Sequence, residues 1–149
     1  MLWLKGIGVI SLLITGSLIG LRFSQNLEMR KIKLNKFYIF TNELWGGIKR
    51  GEEIDSILQN STAKNLIYKD GVNIKPEPVG LKVDDIKILT EFFSVLGMGD
   101  TESQISRCQV FSELIQKQLN LAEQEVKEKS KLYSALGFFS GLFLVILLI

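Results

Sequence analysis

The spacing of apolar and charged residues changes character twice along this chain of 149 residues. Gly6 to Leu21 (GIGVISLLITGSLIGL) and Leu132 to Ile149 (LYSALGFFSGLFLVILLI) carry no charge at all. As helices they would cover roughly 24 and 27 Å of a hydrocarbon layer about 30 Å thick, so each reads as a membrane span. Between them, apolar positions recur at helical steps with charges on the opposite face. This pattern predicts a transmembrane helix at 4–22, a helical domain at 24–131 and a second transmembrane helix at 132–149.

Within the middle, Leu27, Leu34, Phe37, Tyr38, Thr41, Leu44 and Trp45 outline one amphipathic helix continuing from the first span, with Gly46-Gly47 at or just past its end. A short helix follows over Glu52 to Gln59, with Ile54, Ile57 and Leu58 on one face. The stretch 66–75 (LIYKDGVNIK) places Asp70-Gly71 between alternating runs, which is the signal for a small β-hairpin; an irregular connection is the alternative, because two strands alone are marginal. Pro76 and Pro78 then enforce an extended link. Val83, Ile86, Leu89, Phe92, Phe93 and Leu96 mark the next helix, broken by Gly97-Met98-Gly99.

Asp100 or Thr101 can cap the last helix, and Thr101 with Gln104 has the capping-box spacing. That helix carries a stripe of Ile105, Cys108, Ser112, Ile115, Leu119, Ala122 and Val126, widened by Phe111, Leu114 and Leu121, and nothing breaks it before Gly137. The expected fold class is therefore all-α: an antiparallel helical bundle between two transmembrane helices.

Charge sets the orientation. Arg22, Arg30, Lys31, Lys33 and Lys36 follow the first span, against Lys5 before it; Lys117, Lys127, Lys129 and Lys131 precede the second, against nothing after it. Basic flanks stay on the cytoplasmic side, so both spans place the middle in the cytoplasm and both termini across the membrane. The cluster after the first span reads as a membrane-side anchor. A cleaved signal peptide would need a small-x-small site, and Arg22-Phe23-Ser24-Gln25 stands there instead. Without Lys5 the middle holds 17 basic and 16 acidic residues, a net charge near +1 that argues against nucleic acid as a partner.

Composition excludes most chemistry. Histidine is absent, which removes His-based triads and His-liganded metal sites. Cys108 is the only cysteine, so no intramolecular disulfide forms, and its place on the apolar stripe predicts a buried, inert thiol. There is no phosphate-binding loop ending in Lys-Ser or Lys-Thr and no glycine-flanked serine elbow. Glu52-Glu53 and Asp84-Asp85 sit in first turns, where carboxylates complement the helix dipole. No enzyme activity and no cofactor are expected. Gly16 with Gly20, and Gly137 with Gly141, are spaced for close helix packing within the spans.

A series of marks from Leu96 to the end resembles the stage III sporulation protein AB family. These are Leu96-Gly97, Asp100 with Gln104 four residues on, Lys131-Leu132-Tyr133, Leu136-Gly137, Gly141 and the aliphatic finish. The opening MLWLKGIGVI, the Gly16 and Gly20 pair and the helix to Glu43 look similar too, so that about two thirds of the chain is covered. The run Asn60 to Lys82 is shorter than is usual in the family, as if one helix were missing or reduced.

The resemblance implies a non-enzymatic component of the secretion-like channel between mother cell and forespore. It would sit in the mother-cell-derived membrane around the forespore, with other sporulation channel membrane proteins as neighbours. The family's cytoplasmic domain is similar to the helical domains of type II secretion inner-membrane platform proteins, which implies a secretion-type ATPase as partner. The turn Leu96 to Gln104, with Gly97, Gly99, Asp100 and Gln104, is then the candidate contact surface. The alternative is a membrane-tethered spacer that forms homo-oligomers through its glycine-bearing spans without an ATPase.

Overall fold

A computed structural model describes residues 2–70 and 73–148; the side chains of 2–10, 12–13, 16–17, 19, 130, 134, 144–145 and 147–148 lie outside the description. In chain order the elements are α1 (Leu2–Arg50), α2 (Ile54–Asn60), a 3-10 turn at Lys64–Leu66, β1 (Ile67–Asp70), β2 (Asn73–Pro76), α3 (Val83–Val95) and α4 (Thr101–Leu148). They form two compact units, a central one of Arg30–Leu121 and a terminal one of Met1–Met29 with Ala122–Ile149.

The central unit is built on aromatic residues. Phe37, Phe40 and Leu44 of α1, Ile57 and Leu58 of α2, Leu89, Phe92 and Phe93 of α3, and Cys108, Phe111 and Ile115 of α4 share one buried cluster. Phe92 meets Phe111 at 4.5 Å between ring centroids, and Phe93 touches both Phe37 and Phe40. Each fully buried side chain of this size contributes about 1.5–3 kcal/mol, so these rings dominate the unit's stability.

Contacts fix the helix directions. Arg30 near the start of this unit's α1 segment reaches Asp85 at the start of α3, and Phe37 and Phe40 meet Phe93 further along. Thus α1 and α3 run parallel, while α2 and α4 run back against them, since Ile57 of α2 lies beside Gly47 and Thr62 just past α2 donates to Glu43; the helices alternate in direction as in the antiparallel bundle expected, with a two-stranded sheet added. The chain makes this possible by spending residues 51–82 on the return. That segment contains the hairpin, in the register Ile67↔Pro76, Tyr68↔Lys75, Lys69↔Ile74 and Asp70↔Asn73. The pairing is shifted from the expected Asp-Gly turn: Asp70 is the last paired residue of β1, and positions 71 and 72 lie outside the described residues. β2 packs beside α3, and Ile67 and Ile74 rest on the central cluster, so the two strands do not stand alone.

The helix α1 passes through Gly46-Gly47 and stops at Gly51, which corrects the expected end. Gly51, at φ 80°, donates its N–H to the Ile48 carbonyl, and Glu52 donates to Gly47, which is a Schellman closure. Gly47 has a packing role instead: a Cβ there would lie 2.5 Å from Ile57 Cδ1. Two widening positions of the α4 stripe, Leu114 and Leu121, are exposed, as is Val83 at the start of α3.

In the terminal unit the two helix segments lie antiparallel, with Phe23 beside Tyr133 at 5.8 Å. A Cβ on Gly20 would lie 2.6 Å from the Tyr133 carbonyl oxygen and 3.2 Å from Gly137 Cα. Gly141 is buried, and Gly16 lies outside the described side chains. The two spans expected at 4–22 and 132–149 are not supported here: among the described residues no helix is long and apolar enough to cross a membrane. Leu12, Leu13, Val145, Leu147 and Leu148, which the expected spans require, lie outside the described side chains.

Candidate interaction surface

The turn between α3 and α4 is held from three sides. The last turn of α3 closes with Leu96 N–H on the Phe93 carbonyl and Met98 N–H on that of Val95. Gly97 (φ 83°) and Gly99 (φ 87°) take left-handed conformations that a side chain would strain, so both glycines serve the chain reversal itself.

Asp100 precedes the first residue of α4 and caps it. Its carboxyl is held below the usual carboxylate range, first by a side-chain hydrogen bond with Ser103, with help from backbone amides and from Arg107. The expected pairing of Thr101 with Gln104 does not form. Gln104 is half-buried and donates its side-chain amide back to the Gly99 carbonyl at 3.2 Å. The structure therefore gathers Gly97, Gly99, Asp100 and Gln104 in one turn, and gives each of them an internal task.

Arg107 went unread in the sequence and completes this turn. Its Nη1 donates to the Val95 carbonyl at 3.2 Å and the Met98 carbonyl at 2.8 Å, so a cation reinforces the closure at the end of α3. One turn inside a helix, an arginine looks like any solvated face residue, and only the fold reveals its target. The outcome is an exposed Met98, 59% accessible, at the tip of a firmly held loop. Gly97 lies beside Ile54, which brings the tip next to the start of α2.

A second constellation lies at the opposite end of α3. Arg30 donates Nε to Asp85 Oδ2 at 2.7 Å and Nη2 to Oδ1 at 2.9 Å, a bidentate pair with both side chains buried. Nη2 also reaches Gln118 Oε1 at 3.2 Å, and Asp85 accepts the Lys82 N–H at 2.9 Å. One carboxylate thus caps α3 and binds α1. This corrects two expectations, because Arg30 is no membrane-side anchor and Asp85 is more than a dipole partner. Lys33, from the same basic cluster, is bound to the Val79 carbonyl.

Cys108 is buried as expected, and burial pushes its thiol up to about 11. Among the described residues no group of histidine, cysteine and carboxylates could hold a metal ion. The arrangement offers a rigid scaffold with exposed loops.

No curated protein and no solved structure matches the chain. The family described as Stage III sporulation protein AB (spore_III_AB) matches residues 52–149, which takes in the held turn, the hairpin, all of α3 and α4 and the C-terminal apolar segment. With that match over well more than half of its length, the chain belongs to the stage III sporulation protein AB family and has a role in stage III sporulation.

Proposed function

We propose that this protein is a membrane-anchored adaptor of the mother cell to forespore secretion-like channel, and that its central unit docks a secretion-type ATPase. The observation that carries this reading is the Met98 tip. An exposed methionine on a loop fixed by Arg107, Asp100 and Gln104 is a preorganised apolar anchor, and such an anchor loses little entropy when a partner covers it. The absence of any catalytic pattern in the sequence supports an adaptor over an enzyme.

Membrane anchoring is supported by the charge-free runs 6–21 and 132–149 and by the apolar side chains that the terminal unit leaves exposed. Ile14, Leu18, Leu136, Phe139, Phe143 and Ile146 are each more than half exposed, a surface that water does not favour and lipid does. The basic flanks would keep the central unit in the cytoplasm, in the membrane around the forespore. The spacer reading loses ground on Gly20, whose close approach is taken up by the same chain's Tyr133 and Gly137, leaving less of that surface for a homo-oligomer.

The test is co-purification of the full chain with the secretion-type ATPase of the same cell. Met98→Asp should abolish it and lower spore yield while the melting temperature stays unchanged. Gln104→Ala should weaken it and lower the melting temperature slightly, since that side chain holds the loop. Full binding and full spore yield with Met98→Asp would place the contact elsewhere.

A further inference from the structure

The hairpin has one open edge. In an antiparallel ladder, pairs that exchange backbone hydrogen bonds alternate with pairs whose N–H and C=O groups point outward. Glu77 N–H donates to the Leu66 carbonyl, so 66 and 77 are a bonded pair, and so therefore are Tyr68 with Lys75 and Asp70 with Asn73. Ile67 with Pro76, and Lys69 with Ile74, are the outward pairs. Pro76 agrees with this parity, since it has no N–H to give. On β2 the outward side is closed, because Pro76 is buried and the strand packs beside α3. On β1 the Lys69 N–H and C=O and the Ile67 C=O face away from the partner strand.

A groove lies beside that edge, between α2 and the face of the hairpin. Leu58 of α2, Ile67 of β1 and Ile74 of β2 give it an apolar floor, and Lys64, Lys69 and half-exposed Tyr68 line it, with Asp55 of α2 as its acid. Lys69 Nζ stands 3.3 Å from that Asp55, so α2 and β1 are within side-chain reach across it. A strand laid in such a groove gains main-chain hydrogen bonds from the edge and side-chain pockets from the wall.

We infer that this edge of β1 binds an extended segment of another protein, in which an acidic residue lies two positions from an apolar one, adding as a third strand. The apolar residue sits opposite Ile67 and the acidic one opposite Lys69 on the same face, as the period of two requires. The charge argues against a second copy of this chain, since that would bring two edges with Lys64 and Lys69 together. Edge lysines also protect a sheet from indiscriminate pairing, and here they select an acidic partner.

The probe is a labelled, end-blocked peptide, Thr-Glu-Val-Val-Val-Glu-Thr, titrated against the full chain in detergent micelles. Its lysine-for-glutamate counterpart and a version N-methylated at alternate residues are the controls. The glutamate peptide should bind, and both controls should lose binding. Amide exchange followed by NMR should slow at Lys69 on addition of the peptide, while Tyr68 and Asp70, already bonded to β2, keep their rates. Lys69→Glu and Lys64→Glu, both at exposed positions, should each weaken the glutamate peptide several-fold and strengthen the lysine one. Three results overturn the inference: no binding of the glutamate peptide, equal binding of the N-methylated peptide, or Lys69 protection that grows with protein concentration alone. The last would assign the edge to a second copy.

Discussion

A carboxylate and a guanidinium with under a tenth of their side-chain surface exposed cost desolvation, and the bidentate geometry of Arg30 and Asp85 recovers it only while both are present. Asp85→Ala should therefore destabilise the full chain by about 3–5 kcal/mol, the range for an orphaned buried charge. The double variant Arg30→Met with Asp85→Leu should lose less than either single change, as urea unfolding would measure. A double variant as weak as the sum of the singles would mean that the pair is not a closed unit. Cys108 makes a second prediction at this scale. Burial holds its thiol protonated up to about 11, against about 8.5 for a free cysteine, so at pH 8 a thiol reagent should label the folded chain slowly and the urea-unfolded chain quickly. Equal rates would show that this face of α4 opens freely.

Neighbouring glycines in α1 should respond with opposite signs. In a helix interior alanine exceeds glycine by up to about 1 kcal/mol. At Gly46 an added Cβ meets only the flexible end of Arg50, at 3.3 Å, so Gly46→Ala should stabilise. At Gly47 it meets buried Ile57 at 2.5 Å, so Gly47→Ala should destabilise in spite of the propensity gain. Thermal melts of the two variants decide it, and a stabilising Gly47→Ala would place α2 further from α1.

The same pair shows what the sequence made legible at the level of elements. Helical periodicity marked α1, α3 and α4 because their buried faces are long and regular. It misplaced the end of α1, because two glycines read as a stop when one of them is a packing contact and Gly51 is the real terminator. The hairpin was legible from alternation and Asp70-Gly71, but its register depends on Glu77 and on the surface of α3, which no local pattern contains. At the candidate site the glycines and the cap of the turn could be read, since backbone needs select residue types there. The partners of Arg107 and Arg30 could not, because a long cation on a helix looks the same whether it reaches water, a carbonyl or a buried carboxylate.

For the whole molecule, the proposed membrane anchor makes a prediction about which side of a membrane each part would occupy. Two independent features bear on it. Within the terminal unit the antiparallel contact of Gly20 with Tyr133 and Gly137 requires the chain to enter and leave that unit at the same end. In the sequence, Arg22 and the run Lys127, Lys129 and Lys131 mark that same end with positive charge, while the far ends carry Lys5 alone. Retention of the basic end in the cytoplasm would then put both termini across the membrane. A reporter active only outside the cytoplasm should be active when fused after Ile149 and silent when inserted after Asp70, and the full chain should fractionate with membranes. Changing Lys127, Lys129 and Lys131 together to glutamine should reduce the activity of the C-terminal fusion, because the second flank then no longer outweighs its far side. A chain found wholly in the soluble fraction would refute the anchor. A silent C-terminal fusion on a membrane-bound chain would instead mean that the two apolar segments do not cross as a pair.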